Sequence, residues 1–202
     1  MGKVEENKQQ KLNSLFDSAY DLFMSKGIEK TSIHDIVQKA GVAKGTFYLY
    51  FKDKYEIRDR LIGKTAEKLF LSAYKEEQQA NITDFEDKIV FIVDYIIDQL
   101  RKNKLVLRFI SKNLSWGIFR KAVFSNSAAT ELNFLDLYHK LIEANTSVKL
   151  RNPEIMLFLI IELASSSCYS TILDNDPITY DELKPDLNAS IRSIIQNHMI
   201  RE

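Results

Sequence analysis

The sequence has few of the residues that interrupt helices or cross-link chains. Its 202 residues include six glycines, three prolines and one cysteine, Cys168. A single cysteine forms no intrachain disulfide, which excludes a disulfide-stapled secreted domain. A β-rich chain needs turn residues about every 8–12 positions, yet residues 64–152 contain one glycine, Gly117, and no proline. This scarcity predicts an all-α protein.

Net charge and long apolar runs are also absent. The chain has 28 Lys and Arg against 28 Asp and Glu, which excludes a uniformly basic nucleic-acid coat. The charges are unevenly distributed along the chain. Residues 22–64 include nine basic and five acidic residues, whereas residues 65–202 include sixteen basic and nineteen acidic residues. The longest apolar run, 155–161, is far shorter than the ~18 residues of a membrane span, and the N-terminus lacks the apolar core of a signal peptide. We therefore predict a cytoplasmic protein with no membrane association.

Apolar residues recur at helical spacing along most of the chain. The pattern predicts about nine to ten helices, with glycines closing the first two and Asn152-Pro153 opening a late one. The predicted helices cover about residues 12–26, 33–40, 43–51, 53–79, 84–102, 104–113, 115–124, 128–145, 153–174 and 181–199. The last of these contains Pro185, where we expect a kink or a later start.

The second and third predicted helices are short and joined by a tight turn. Ser32 and Asp35 have the spacing of a capping box, and Gly41 supplies the positive φ that such a turn needs. Two short helices around a glycine turn are typical of a helix-turn-helix. In the third helix, Ala43, Phe47 and Phe51 share the face that would pack inward.

The opposite face of the third helix has an unusual composition for a solvated surface. Gly45 and Leu49 occupy it, and Lys44, Thr46, Tyr48 and Tyr50 flank them. This set suits DNA, because glycine admits a close backbone approach and Lys and Tyr donate to base edges and phosphates. Alternatives remain open: the tyrosines as packing residues, Lys44 as a solvated charge, and Leu49 packed beneath a loop. Gly45 is harder to explain structurally, since glycine costs a helix about 1 kcal/mol against alanine.

This segment closely resembles the DNA-binding domain of the TetR family of bacterial transcriptional regulators. The resemblance covers about residues 10–62, without a gap. Its matching elements are Thr31-Ser32, Asp35-Ile36-Val37, Ala40-Gly41-Val42, the run from Lys44 to Tyr48, Tyr50-Phe51 and Lys52-Asp53-Lys54. One departure is Ala43, where the family often has a serine cap.

The resemblance implies a homodimer whose third helix lies in the major groove of a palindromic operator. It implies base-edge contacts by Lys44, Gly45 and Thr46. The implied phosphate contacts are Thr31, Tyr48, Tyr50 and Lys54, and Ser32 opens the second helix at the same DNA-binding surface.

Two domains are predicted: residues 1–55 as a three-helix DNA-binding domain, and residues 56–202 as a helical bundle for effector binding and dimerisation. Small residues after the run 155–161 favour a dimer through residues 153–199, because small side chains let helices approach closely. Pockets are lined by apolar and aromatic side chains with a few polar groups. The candidate effector lining is therefore Phe91, Tyr95, Phe109, Trp116, Phe134, Tyr138, Phe158 and Glu162. A buried Glu162 would favour a cationic group on a mainly apolar ligand.

An enzyme or metal protein is the distant alternative. The histidines His34, His139 and His198 are far apart, and no Glu-x-x-His pair of the kind used in bundle metal sites is present. We predict no catalytic residue, metal or cofactor. The sequence thus indicates a dimeric repressor released from its operator by a small molecule. An effector-independent activator or architectural factor is the nearer alternative.

Overall fold

The computed structural model describes residues 2–111, 134–145 and 148–200. Regular secondary structure in these ranges is helical throughout, with one isolated β-bridge between Leu150 and Met199. The helices are α1 (Lys3–Lys26), α2 (Ile33–Ala40), α3 (Lys44–Tyr48), α4 (Lys54–Gln79), α5 (Phe85–Lys102), α6 (Lys104–Ser111), α7 (Phe134–Glu143), α8 (Pro153–Leu173) and α9 (Tyr180–His198). Nine helices in the described ranges confirm the all-α prediction. The predicted helix at 115–124 and the start of the one at 128–145 lie outside those ranges.

The chain divides into two compact units, Met1–Lys64 and Thr65–Glu202. The division falls inside α4, later than the boundary predicted after residue 55. The first turns of α4 belong with the N-terminal unit because their side chains pack there. The Arg60 guanidinium lies 5.1 Å from the Phe51 ring centroid, and the Lys64 ammonium lies 3.9 Å from that of Phe16.

An aromatic core holds the N-terminal unit together. Phe16 of α1 meets Phe51 edge-on at 5.3 Å between ring centroids, and Phe47 of α3 lies 5.4 Å from Phe51. All three side chains are buried. Burying such rings contributes several kcal/mol in total, so α3 is anchored by the face predicted to point inward.

The turn between α2 and α3 has the expected local geometry. Gly41 has φ 66°, in the left-handed region, and closes α2. Ser32 and Asp35 form a reciprocal capping box at the other end of α2. Helix α3 ends at Tyr48, earlier than predicted, and the amides of Tyr50 and Phe51 both donate to the Phe47 carbonyl in the turn that follows.

The C-terminal unit packs the rest of α4 together with α5–α9 around one apolar core. Pro153 begins α8 and Pro185 lies within α9, two turns from its Thr179 cap. Helix α8 is apolar on nearly every side. Among the described residues it is the one helix whose length and hydropathy would allow a membrane span. Core and interface helices of soluble proteins have the same properties, so this observation is weak evidence for a membrane.

Candidate DNA-binding surface and ligand cavity

Helix α3 presents a continuous exposed surface opposite its buried Phe47. Lys44 and Gly45 are exposed, Thr46 is half-buried, and Tyr48 is 51% exposed. Leu49, at the end of the helix, is 80% exposed. These residues share one surface because the Phe47 and Phe51 rings fix the opposite face in the core.

Gly45 and Leu49 have no structural explanation within the described chain. A Cβ built on Gly45 meets no heavy atom of the described residues within 4 Å, and its φ is not positive. Neither packing nor backbone strain therefore requires glycine there. Leu49 is open to solvent, which contradicts the alternative in which it packs beneath a loop.

A capping box and an ion pair hold the start of α2. The Ser32 hydroxyl is exposed and accepts from the Asp35 amide at 3.1 Å, while the Ser32 amide donates to Asp35 Oδ2 at 2.8 Å. The Lys26 ammonium donates to the same oxygen at 2.8 Å. The hydrogen bond from Lys26 and those from Ser32 hold the pKa of Asp35 well below its usual range.

Two residues expected to contact DNA phosphates make hydrogen bonds within the protein. Thr31 is 1% exposed, and its hydroxyl donates to the Gly27 carbonyl at 2.8 Å. The Lys54 ammonium donates to the carbonyls of Ile28, Glu29 and Thr31 at 3.0, 3.2 and 3.2 Å. In the folded unit these side chains bind the α1–α2 loop, because its carbonyls after α1 need donors, and their contacts with DNA phosphates stay predictions.

Tyr50 also makes an internal contact. It is half-buried, and its hydroxyl donates to the Lys8 carbonyl in α1 at 3.2 Å. No sequence pattern indicated this pairing, since the two residues are 42 positions apart in the chain. Tyr55, which the motif match did not include, is 41% exposed with the Arg58 guanidinium 5.1 Å from its ring centroid.

The C-terminal unit contains a partly open apolar cavity of about 160 Å³ between α4, α5, α6, α7 and α8. Its wall is mostly aliphatic. The lining residues are Ala66, Leu69, Phe70, Ile89, Ile92, Val93, Ile96, Ile97, Leu100, Leu107, Ile110, Tyr138, Leu141, Met156, Leu157, Ile160, Ile161, Ala164, Ser165, Cys168 and Ile172. Burial raises the pKa of the Cys168 thiol to about 11, so that group is neutral at pH 7.

Of the predicted effector-binding residues, Tyr138 lines this cavity, and its hydroxyl donates to the Pro153 carbonyl at 2.7 Å. Five others do not line it: Phe91, Tyr95, Phe109, Phe158 and Glu162. Trp116 and the side chain of Phe134 lie outside the described residues. Four of the aliphatic lining residues, Ile89, Val93, Ile96 and Leu100, recur at helical spacing along α5, a pattern that can be seen in the sequence.

The position of Glu162 follows from helix geometry. At about 100° per residue, Ile155, Leu159, Glu162 and Ser166 fall on one side of α8. Met156, Ile160, Ala164 and Cys168, which line the cavity, fall on the opposite side. The structure therefore places the Glu162 carboxylate outside this cavity, where it gives no support to the preference for a cationic ligand.

Metal-binding side chains are scattered in the described part of the chain. No three His, Cys, Asp or Glu side chains there lie close enough to hold an ion.

A buried three-phenylalanine core, a glycine turn and an exposed short helix define a helix-turn-helix protein, here with a separate helical unit around a cavity. A family model described as "Bacterial regulatory proteins, tetR family" matches residues 15–61. This match confirms the resemblance to the TetR family over the N-terminal part of the chain.

Relatives support this assignment over different lengths. The uncharacterised HTH-type transcriptional regulator YvdT of Bacillus subtilis is 37% identical over 89 residues, which is 44% of this chain. The chain spans about half the length of that protein, 43%. The fatty acid metabolism regulator protein of Bacillus subtilis is 26% identical over 204 residues and 95% of both chains.

A solved structure has the same fold along most of the chain. It is the FadR transcriptional regulator of Bacillus subtilis in complex with stearoyl-CoA, with a TM-score of 0.58 and 14% identity. The match covers 91% of this chain and 99% of that one.

Proposed function

We propose that this protein is a dimeric, cytoplasmic DNA-binding transcriptional regulator, a repressor released from its operator by an apolar small molecule. The observation that carries the proposal is the pairing of two sites in one chain. The N-terminal unit exposes α3 with Lys44, Gly45 and Tyr48 on its outer face, and the C-terminal unit contains an aliphatic cavity.

The DNA-binding surface consists of Lys44, Gly45, Thr46 and Tyr48, with Ser32 at the start of α2. Lys44 donates to a base edge or a phosphate, and the Tyr48 hydroxyl donates to a phosphate. The repressor's two-fold symmetry requires a pseudo-palindromic operator with half-sites about one helical turn or slightly more apart. Selection of bound DNA from a random pool tests this directly.

Variants separate base reading from phosphate binding. Lys44→Ala should cost roughly 1–3 kcal/mol and relax preference at one position, whereas Tyr48→Phe should weaken all sequences alike. Lys140→Ala, an exposed lysine of the C-terminal unit, is the matched control. Unchanged affinity in both α3 variants would contradict the docking of α3 on DNA.

The homodimer forms through α8 and α9. Ile155 and Leu159 lie one turn apart on one side of α8 and are 51% and 39% exposed, so they form an apolar patch that a partner could cover. A two-fold related copy of the same surface would cover them, since isologous dimers are the commonest oligomers. Sedimentation of the full chain tests the dimer.

The effector is an elongated aliphatic molecule, and a long-chain fatty acyl compound is the class to test first. The cavity offers almost no polar group, so an alkyl chain gains the full benefit of apolar burial. A relative spanning 95% of the chain is named for fatty acid metabolism, and a protein of the same fold holds stearoyl-CoA.

Titration of operator complexes with fatty acids and acyl-CoAs of increasing chain length tests the effector. We expect release by compounds with long chains and none by short-chain homologues or free coenzyme A. If no acyl compound or other lipophilic molecule releases DNA or binds the protein in calorimetry, the effector-independent alternative is favoured.

A further inference from the structure

Leu49 is an apolar side chain on the surface assigned to DNA. It is 80% exposed, the most exposed large hydrophobic residue of the described chain. Surface leucines occur singly in many proteins, but this one follows Lys44, Gly45 and Tyr48 on the outward side of α3. Its backbone is fixed, because the flanking Tyr50 and Phe51 amides both donate to the Phe47 carbonyl and the Phe51 ring is buried.

The major groove offers one apolar feature that an aliphatic side chain can recognise. Each base pair presents hydrogen-bonding groups there, and only thymine adds a methyl group, at C5. A leucine has no donor or acceptor with which to read the other bases. Contact with a thymine methyl removes both apolar groups from water, whereas contact with a cytosine amino group or a purine N7 leaves a polar group unsatisfied.

The neighbours of Leu49 make this contact geometrically consistent. Gly45 precedes it by one helical turn on the same side of α3 and carries no side chain that would hold the backbone away from the bases. No described residue occupies the space where a Gly45 Cβ would lie. The helix can therefore approach the base edges at Gly45, which brings Leu49 to the depth of the thymine methyl groups.

We propose that Leu49 determines specificity at one position of each operator half-site by packing against the C5 methyl of a thymine. This inference rests on the proposed DNA-binding function. It predicts a thymine at one fixed position in each half-site of the selected DNA. Lys44 supplies attraction to DNA generally or to a different base, and Leu49 adds the discrimination of thymine from cytosine or uracil.

Replacement of thymine by deoxyuridine deletes that methyl group and nothing else. In one half-site, this change should weaken binding of the wild-type protein about fourfold, the factor that corresponds to ~0.8 kcal/mol for one buried methyl-sized group. Leu49→Ala should weaken binding to the thymine operator and should respond little to the same replacement. The exposed leucine Leu105 of α6, which is 54% exposed, provides the control Leu105→Ala, which should keep the full fourfold sensitivity.

The outcomes separate this inference from the function on which it rests. If wild-type protein selects no specific DNA, the DNA-binding proposal fails. If it binds a specific operator but no thymine is enriched, or deoxyuridine at every enriched thymine leaves affinity unchanged, the Leu49 inference is overturned alone. The inference is also overturned if Leu49→Ala loses as much affinity on deoxyuridine replacement as the wild type does.

Discussion

Gly45 destabilises α3 relative to alanine, and nothing in the described chain requires glycine at this position. Its backbone angles suit any residue, and a Cβ there would have free space. We expect Gly45→Ala to raise the free energy of unfolding by up to about 1 kcal/mol through helix propensity, yet to weaken operator binding. Chemical denaturation and a binding titration of the same variant measure the two effects.

A gain in stability together with a loss in affinity would identify Gly45 as a DNA-contact position. Ala40→Gly, at the end of α2, is a suitable reference for the effect of helix propensity on the free energy of unfolding. An unchanged operator affinity in Gly45→Ala would show that the backbone does not approach DNA at this point.

Lys54 acts in the folded unit as a link between α4 and the α1–α2 loop. Its ammonium donates to three loop carbonyls. A hydrogen bond to a charged group contributes roughly 1.5–3 kcal/mol net, but Lys54 is only half-buried, so water replaces part of what the variant loses. We expect Lys54→Ala to lower the free energy of unfolding by about 1–2 kcal/mol. Lys52→Ala, whose side chain is exposed, should change it by less than about 0.5 kcal/mol.

The salt dependence of DNA binding distinguishes this role from a phosphate contact. A lysine on a phosphate reduces the slope of log affinity against log salt by about one when it is removed. Since Lys54 is held by carbonyls, its loss should leave that slope unchanged while the melting temperature falls. A reduced slope with unchanged stability would support the phosphate contact implied by the family resemblance.

Asp35 gives the N-terminal unit a predictable response to acid. Folding lowers its pKa, first through the Lys26 ammonium and then through Ser32. Stability from Asp35 is therefore fully present above its unfolded pKa of ~3.9 and is lost as the pH falls toward the lower folded value. We expect Asp35→Asn to reduce the acid sensitivity of unfolding below about pH 4. Lys26→Met should reduce it in the same direction, and an unaltered pH profile in both variants would contradict this assignment.

At the scale of elements, α8 combines two apolar faces in one helix. One face lines the cavity, and the other carries Ile155 and Leu159 at the surface. We expect Leu159→Asp and Ser166→Arg to shift the protein from dimer to monomer, because each places a charge on the second face. Analytical ultracentrifugation over a range of concentrations measures the shift.

Val4→Asp serves as the control for this experiment, since it changes an exposed apolar residue of α1 and should leave the dimer intact. A dimer of undiminished stability in both α8 variants would assign the interface to another surface. Loss of soluble protein in one variant can be checked against the other, because Ser166 is exposed and its replacement removes no core contact.

The features that the sequence predicted correctly are those set by neighbours along the chain. Ser32 and Asp35 cap α2, Gly41 closes it, and Pro153 opens α8, because each depends on residues within one or two turns. The contacts that spacing did not indicate involve residues distant in the chain. Lys54 meets a loop more than twenty residues away, and Thr31 is buried under α1, so their side chains could not be placed from spacing alone.

The same limit applies to the effector site. Amphipathic patterning predicts which face of α5 is buried, but α8 is apolar all round, so its sequence does not show which side faces a cavity and which a partner. Glu162 was therefore placed on the wrong side. The preference for aromatic pocket residues also failed, because the wall is built from aliphatic stripes of several helices that only the tertiary fold brings together.

At the scale of the whole molecule, each unit carries one of the two proposed binding sites. An effector can release DNA only to the extent that it prefers the conformation with low DNA affinity. Coupling of roughly 1–3 kcal/mol, about 5–150-fold in operator affinity, is the usual range. The cavity can be altered without touching the DNA-binding unit, which allows the coupling to be tested separately from DNA binding.

Ala164→Phe should remove the effector response selectively. Ala164 lines the cavity wall on α8, and a benzyl side chain there would fill space that an alkyl chain requires. We expect the variant to bind the operator with wild-type affinity but to need at least tenfold more long-chain acyl compound for release. Ala80→Phe, at an exposed position just after α4, should respond as the wild type does. Wild-type sensitivity in Ala164→Phe would mean that the acyl chain binds elsewhere, whereas loss of operator binding would mean that the substitution itself favours the DNA-incompetent conformation.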